Sequence, residues 1–263
     1  MKALILAAGQ GTRLQYLTAH RPKPMLPIHG KPLLQHTIEW LRQYDVHHIA
    51  VNLHHYPESI VDCFGDGNRL DVSLYYSYEA TLLGTAGAAK RLENYLDETF
   101  VVVYGDVYTN LDLFRIKFAH DRHLQQLRET RRDNGSSLDC LTMALYSVPN
   151  PQECGLVETD AQGRVMRFVE KPPRHRVFTD QAFSGVMICE PTLLAHAPEQ
   201  TPFDFGHDLI PKLLSEDVPL YAESLAAGEF VIDIGTLGGY LAALRIDDNR
   251  QPPLALFHHA QAS

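Results

Sequence analysis

An α/β fold is predicted by three features of the chain. Apolar runs of strand length alternate with helical patterns from the N-terminus to Tyr104. The run Phe100–Tyr104 (FVVVY) is apolar throughout, as in a strand covered on both faces. The first run, Lys2–Ala8, stops at a glycine-rich loop, Gly9–Leu14 (GQGTRL), where a first parallel strand would hand over to its crossover.

Each element follows from its pattern. After the strand Lys2–Ala8, the segment Pro32–Tyr44 places Leu34, Ile38 and Leu41 on one helical face. Ile49, Val51 and Leu53 alternate as a second strand. Pro57–Phe64 reads as a short helix, with Pro57 in its first turn and Gly65 as its C-cap. Val72, Leu74 and Tyr76 alternate again, Ala86–Leu96 returns to helix, and Phe100–Tyr104 is the fourth strand. The order β-α-β-α-β-α-β calls for a Rossmann-like, mostly parallel mixed sheet flanked by helices. Ligands of such sheets bind at the C-terminal strand ends, so the loops after Ala8 and Tyr104 are where chemistry is expected.

The second half changes character. Strands are predicted at Asp139–Val148, at Gly155–Thr159 and Arg164–Val169 around the turn Asp160–Gly163, at Phe183–Cys189 and at Glu229–Ile234. Helices are predicted at Asp208–Leu214 and Gly238–Ile246. This antiparallel β extension would form the far wall of a cleft. Within 119–137, the first part reads as an exposed helix and RRDNGSS as a mobile loop. No linker divides the chain, so residues 1–263 are expected as one domain with lobes at about 1–115 and 138–235. The C-terminus shows no hexapeptide repeat, and no C-terminal β-helix domain is expected.

Charge narrows the partners. Lys and Arg number 23 against 32 Asp and Glu, a net −9, the wrong sign for broad nucleic-acid or anionic-membrane binding. No apolar run approaches the ~18 residues of a membrane helix, and no signal-peptide anatomy is visible. A cytoplasmic protein is expected. Cys63, Cys140, Cys154 and Cys189 form no C-x-x-C pair and read as reduced thiols.

The loop Gly9–Leu14 is no dinucleotide fingerprint, because Leu14 stands where a third glycine belongs, and no Gly-Lys-Ser/Thr marks a Walker A loop. Gly9, Gly11, Thr12 and Arg13 could nonetheless form an anion nest with a forked cation, or an ordinary tight turn. Lys23 stands between prolines in RPKPMLP. They suppress helix and predict a stiff, extended presentation of its ammonium, which suits stabilisation of transition-state charge. His47, His48, His54, His55 and His207 show no metal-ligand spacing and read as surface or capping residues.

LILAAGQGTRL followed by TAHRPKPMLPI resembles the signature of the sugar-phosphate nucleotidylyltransferases. The likeness continues, in family order, through EATLLGTAGAAK (79–90), VVVYGDVYTNLDL (101–113), GLVETDAQGRVMRFVEKPP (155–173), FSGVMICEP (183–191), FDFGHDLIPKLL (203–214) and VIDIGTLGGY (231–240). It implies a Mg2+-dependent enzyme that joins a nucleoside triphosphate to a sugar 1-phosphate and releases pyrophosphate. By that resemblance Leu6, Ala8, Gly9, Gly11, Thr12, Arg13, Lys23, Glu79, Gly84, Thr85 and Asp106 bind the nucleotide. Gly155, Glu170, Lys171 and Gly185 hold the sugar phosphate in the antiparallel lobe. Asp106 and Asp233 hold the metal, and Arg13, Lys23, Asp106, Lys171 and Asp233 carry catalysis. Taken alone, either aspartate reads as a turn or cap, and Glu170–Lys171 as a solvated ion pair.

A sugar phosphate is already anionic at neutral pH, so direct in-line attack is expected without a general base. A carboxylate only accepts hydrogen bonds, and guanine presents two adjacent donors, so Glu79 points to GTP. UTP or dTTP is the reserve. Mannose 1-phosphate is the favoured acceptor and a heptose 1-phosphate the second. Leu82 and Ser184 depart from the family pattern, which often has proline at the first and Asn or Ala at the second. A nucleotide-sugar sensor without activity is a further reading, and a dehydrogenase a poorer one. No nucleic acid and no membrane is expected as partner; a homo-oligomer is left open.

Overall fold

The computed structural model describes residues 1–9, 11–131, 138–199 and 201–246. In the first half, β1 (Lys2–Leu6) leads through 3-10 turns and the two-residue strands β2 (Pro27–Ile28) and β3 (Lys31–Pro32) to α1 (Leu33–Gln43). There follow β4 (His48–Leu53), α2 (Pro57–Phe64), β5 (Ser73–Tyr78), α3 (Gly84–Arg91), β6 (Phe100–Tyr104), β7 (Val107–Thr109) and α4 (Leu113–Arg131). The second half contains β8 (Leu141–Ser147), β9 (Gly155–Thr159), β10 (Val165–Glu170), β11 (Gln181–Cys189), α5 (Ile210–Ser215), β12 (Leu220–Ser224), β13 (Val231–Asp233) and α6 (Leu237–Ala243).

The main sheet runs β10-β9-β11-β6-β1-β4-β5, with β8 paired to β11 and β12 to β8. β6, β1, β4 and β5 are mutually parallel. β11 lies antiparallel on β6 and joins the two halves edge to edge. Because side chains alternate across a strand, the apolar strands feed two cores. Ala3, Ile5, Val101 and Val103 pack with Leu34, Ile38 and Leu41 of α1 on one face. Leu4, Phe100 and Val102 pack with Ala86 and Ala89 of α3 and Leu213 of α5 on the other. That is why FVVVY carries no polar residue.

The structure differs from the sequence reading in several places. The predicted helix Ala86–Leu96 ends at Arg91 and continues as tight turns, Leu92 and Leu96 remaining buried. β7 and β12 were not expected, being too short to show periodicity. The segment read as an exposed helix belongs to α4, whose Ile116, His120, His123 and Leu124 are buried at helical spacing. Residues 132–137 of the predicted mobile loop lie outside the described residues. The expected helix Asp208–Leu214 starts one turn earlier, as a π-turn over Phe205–Leu209 with Asp204 as its cap.

Candidate active site

Parallel pairing of β1 and β6 sets Leu6 beside Tyr104, so the loops leaving both strands emerge side by side. Gly105 N–H donates to Leu6 O at 2.9 Å, which holds Asp106 over the end of β1. β7 follows at once and pairs antiparallel with β13, so that Val107 faces Asp233; Ile234 N–H donates to Asp106 O at 2.9 Å. A two-stranded ribbon thereby brings together two aspartates 127 residues apart in sequence.

Cations converge on this pair. Lys23 Nζ pairs with Asp106 Oδ2 at 2.7 Å, and both side chains are largely buried. A Cβ placed on Gly235 would lie 2.7 Å from Asp233 Oδ1, 2.8 Å from Arg13 Nη2 and 3.3 Å from Lys23 Nζ, so all three side chains meet at one point. Gly235 N–H donates to Asp233 Oδ1 at 2.6 Å. Burial pushes the Asp233 carboxyl above its ordinary range and the facing Asp106 adds to this, against the Gly235 amide, Lys23 and Arg13. Lys23 does not sit on an extended segment as predicted. It opens a 3-10 turn, Lys23–Met25, because Pro24 in a first turn lacks only an N–H that would be unpaired there anyway.

Two cavities flank the aspartates. One, of about 270 Å³, is walled by Leu6, Ala8, Gly9 and Lys23 on the β1 side and by Glu79, Gly84, Thr85 and Asp106 opposite. The second, of about 250 Å³, contains Gly155, Glu170, Lys171 and Gly185 together with Arg13, Asp106 and Asp233. Asp106 and Tyr104 line both. Arg13 thus stands on the second cavity. Gly11, which lines neither, has φ +67° and accepts the Thr18 hydroxyl at 2.9 Å. The Thr12 side chain lies outside the described residues.

Glu170 ends β10, and its Oε2 packs 2.6 Å from where a Cβ on Gly155 would be and 2.7 Å from one on Gly206. Lys171 Nζ lies 3.2 Å from Glu170 Oε1 and is half exposed. Its backbone is left-handed at φ +44°, a conformation that costs a non-glycine residue about 1 kcal/mol or more. The bond Lys171 N–H to Cys154 O, 3.0 Å, fixes that turn. Gly185, φ +82°, sits in the register shift of β11 between Phe183 and Met187, and the bulge brings the strand to the cavity wall.

Glu79 is 4% exposed and not solvated: Oε1 accepts from Asn52 Nδ2 at 2.8 Å and Oε2 from Leu83 N–H at 3.0 Å. Asn52 Oδ1 in turn accepts from Ala7 N–H at 2.7 Å, so one amide ties the glycine loop to the far wall. Sequence reasoning passed over Asn52, although an amide inside the apolar strand HIAVNL was a visible signal. It also passed over Tyr104, Tyr146, Cys154 and Asp204. His207, read as surface, stands on the second cavity because the π-turn carries it there. Desolvation, and after it the Asp204 carboxylate, hold the Tyr104 phenol well above its ordinary range.

Among the described residues no three His, Cys, Asp or Glu side chains cluster as a metal site. The pair Asp106 and Asp233 offers hard oxygen donors, with Asp106 Oδ1 and Asp233 Oδ2 free of hydrogen bonds among the described residues. That set fits Mg2+, which is held by one or two carboxylates and completes its shell from phosphates and water.

Comparison with known proteins bears on the family and the fold. A family model described as "Nucleotidyl transferase" matches residues 2–250. The chain is 35% identical over 262 residues to a UTP--glucose-1-phosphate uridylyltransferase of Synechocystis, covering 93% of this chain and 63% of the relative. It is 31% identical over 224 residues to a mannose-1-phosphate guanylyltransferase of Mycobacterium tuberculosis, covering 83% of this chain and 57% of the relative. The chain therefore spans about three fifths of the length of these curated relatives. Among solved structures, HddC from Yersinia pseudotuberculosis complexed with GMP-PN superposes with a TM-score of 0.70 at 28% identity, over 92% of this chain and 97% of that one. With nearly its whole length matched to the family model, and its strand-end loops built as described, the chain belongs to the nucleotidyl transferase family.

Proposed function

We propose that this chain transfers a nucleotidyl group from GTP to a sugar 1-phosphate, mannose 1-phosphate first, releasing pyrophosphate and a nucleoside diphosphate sugar. The observation that carries the reading is the meeting of two cavities at Asp106, beside Lys23, Arg13 and Asp233. The nucleotide occupies the cavity under Gly9 and Glu79, and the sugar phosphate the cavity of Glu170 and Lys171. Lys171 binds the phosphate of the acceptor and Glu170 accepts from its hydroxyls. The attacking oxygen is already anionic, so the residues position and screen: Lys23 and Arg13 face the phosphates, and the bond to the α-phosphorus forms in line as that to pyrophosphate breaks. Mg2+ on Asp106 and Asp233 would supply charge neutralisation on the phosphates.

Glu79 supports guanine. Each carboxylate oxygen already accepts one protein N–H yet keeps a further lone pair, and an acceptor-only group matches guanine's adjacent donors. The structure of HddC with GMP-PN is consistent with a guanosine nucleotide. A uridine donor is the second reading, favoured by the Synechocystis relative. A heptose 1-phosphate remains the second acceptor.

The test is pyrophosphate release with four nucleoside triphosphates crossed with mannose, glucose and heptose 1-phosphates, with Mg2+ and with EDTA. Turnover with GTP alone, abolished by EDTA, is expected. Turnover with UTP or dTTP instead would keep the reaction and overturn the base assignment. Silence in every well from protein that binds a nucleotide sugar would favour the sensor. Glu79→Gln is a poor substitute for this experiment. Its amide would set one donor against Asn52 Nδ2 or Leu83 N–H, at about 1–3 kcal/mol, and confound recognition with stability.

A further inference from the structure

The second cavity, proposed for the sugar phosphate, is acidic although that ligand is an anion. Asp106, Glu153, Glu170, Asp204 and Asp233 line it against two strongly basic side chains, Arg13 and Lys171. Lys23 offsets Asp106, and a proton on Asp233 would remove a second charge; three carboxylates still face two cations. A metal-bound nucleoside triphosphate in the neighbouring cavity adds more negative charge, because its phosphates outweigh its metal. The chain as a whole, at −9, also repels an anion.

One exposed turn carries the opposite sign. Lys171, in the cavity wall, begins the run Lys-Pro-Pro-Arg-His-Arg (171–176). Pro172 and Pro173 fix φ, and Arg174–Arg176 close as a 3-10 turn in which Arg176 N–H donates to Pro173 O at 2.8 Å. Three residues of chain span at most about 11 Å, so the Arg174 backbone lies within that reach of Lys171. This is close to the Debye length of about 10 Å at about 0.1 M salt. Other arginines are engaged by the fold: Arg115 pairs with Glu229 at 2.6 Å, and Arg167 lies over the Phe178 ring at 4.0 Å. Arg174 and Arg176 are exposed and, among the described residues, make neither kind of contact. The only carboxylate in sequence between Lys171 and Cys189 is Asp180, which accepts the Ser147 hydroxyl at 2.5 Å.

On the reading that this cavity takes the acceptor, we propose that the turn 171–176 is an electrostatic guide, in which Arg174 and Arg176 draw the phosphate of an incoming sugar 1-phosphate past the acidic wall toward Lys171. Both arginines act at a distance, and neither touches the reacting atoms. Their charge carries the role, and the local field raises acceptor concentration at the cavity.

The test uses the substrate pair that the wild type turns over best. Initial rates are taken at varied sugar 1-phosphate, with saturating nucleotide and Mg2+, from about 0.02 to about 0.5 M KCl. Wild-type kcat/KM for the sugar phosphate is expected to fall as salt rises. The double variant Arg174→Glu, Arg176→Glu should lose about tenfold in that kcat/KM at low salt, with kcat within about twofold. Its kcat/KM should rise with salt until the two proteins meet. Arg174→Lys, Arg176→Lys keeps the charge and should match the wild type throughout, and melting temperatures check that all three are folded. A charge-reversed variant equal to the wild type at low salt, or a defect of the same size at every salt concentration, would overturn the proposal. So would a lysine variant as impaired as the glutamate one. Each of these leaves the proposed function standing, whereas a wild type that turns over no pair of substrates would overturn both.

Discussion

Asp233 shows how a single residue takes its chemistry from its neighbours. Burial, and after it the Asp106 carboxylate, raise its pKa above the ordinary 3.8. The folded chain thus keeps a proton that the unfolded chain has released, and ionised Asp233 subtracts from stability as pH rises from 3.8 through the raised value. Asp233→Asn, which can still accept Gly235 N–H, should melt higher than the wild type at neutral pH. The gain should fade as pH falls through the raised value and be gone below 3.8, while nucleotidyl transfer drops by about 10²–10³-fold. Melting curves across pH check this; a variant less stable than the wild type at neutral pH would refute it. Asp106 and Asp233 were singled out through the family resemblance, since each alone reads as a turn or cap, and the β7–β13 pairing is what brings them together. Asn52, Tyr104 and Asp204 were not, because their roles lie in what they bond across the fold. Glu79 was legible as a cavity residue, but its two N–H partners come from β4 and the loop before α3.

At the scale of elements, α4 departs furthest from the sequence reading. Its polar composition suggests exposure, yet His123 is buried, stacked on Tyr221 of β12 at 3.9 Å and 10°, with neither ring nitrogen hydrogen-bonded among the described residues. Burial lowers its pKa from 6.5 to about 4, and Arg122 and His120 add to that. In acid the unfolded chain gains a proton that the folded chain refuses. The stability His123 contributes is therefore complete above pH 6.5 and lost as pH falls toward 4. His123→Phe keeps the stack and should flatten the decline in denaturation midpoint over that window. An unaltered slope would show that other groups govern it. Composition could not reveal this face, since its partner β12 is itself a five-residue strand without a clear pattern.

Across the whole molecule, the sheet passes without a break from the parallel strands to the antiparallel ones through the β6–β11 pair. The second core is shared accordingly: Leu4 of β1 and Met187 of β11 are both fully buried in it. Leu4→Ala and Met187→Ala should each cost about 2–5 kcal/mol. Trp40, the single tryptophan, lies in the other core and should report both losses in its fluorescence transition. A transition that does not move would mean that the cores unfold separately. The order of the N-terminal strands and helices, the glycine loop after the first strand and the carboxylates after apolar runs were set by sequence alone, because periodicity and local backbone rules act over a few residues. Which carboxylates face each other, which hydroxyl braces which loop, and how the polar helix finds cover were decided only by the tertiary structure. Those contacts join residues tens to more than a hundred positions apart, and no local pattern encodes the pairing.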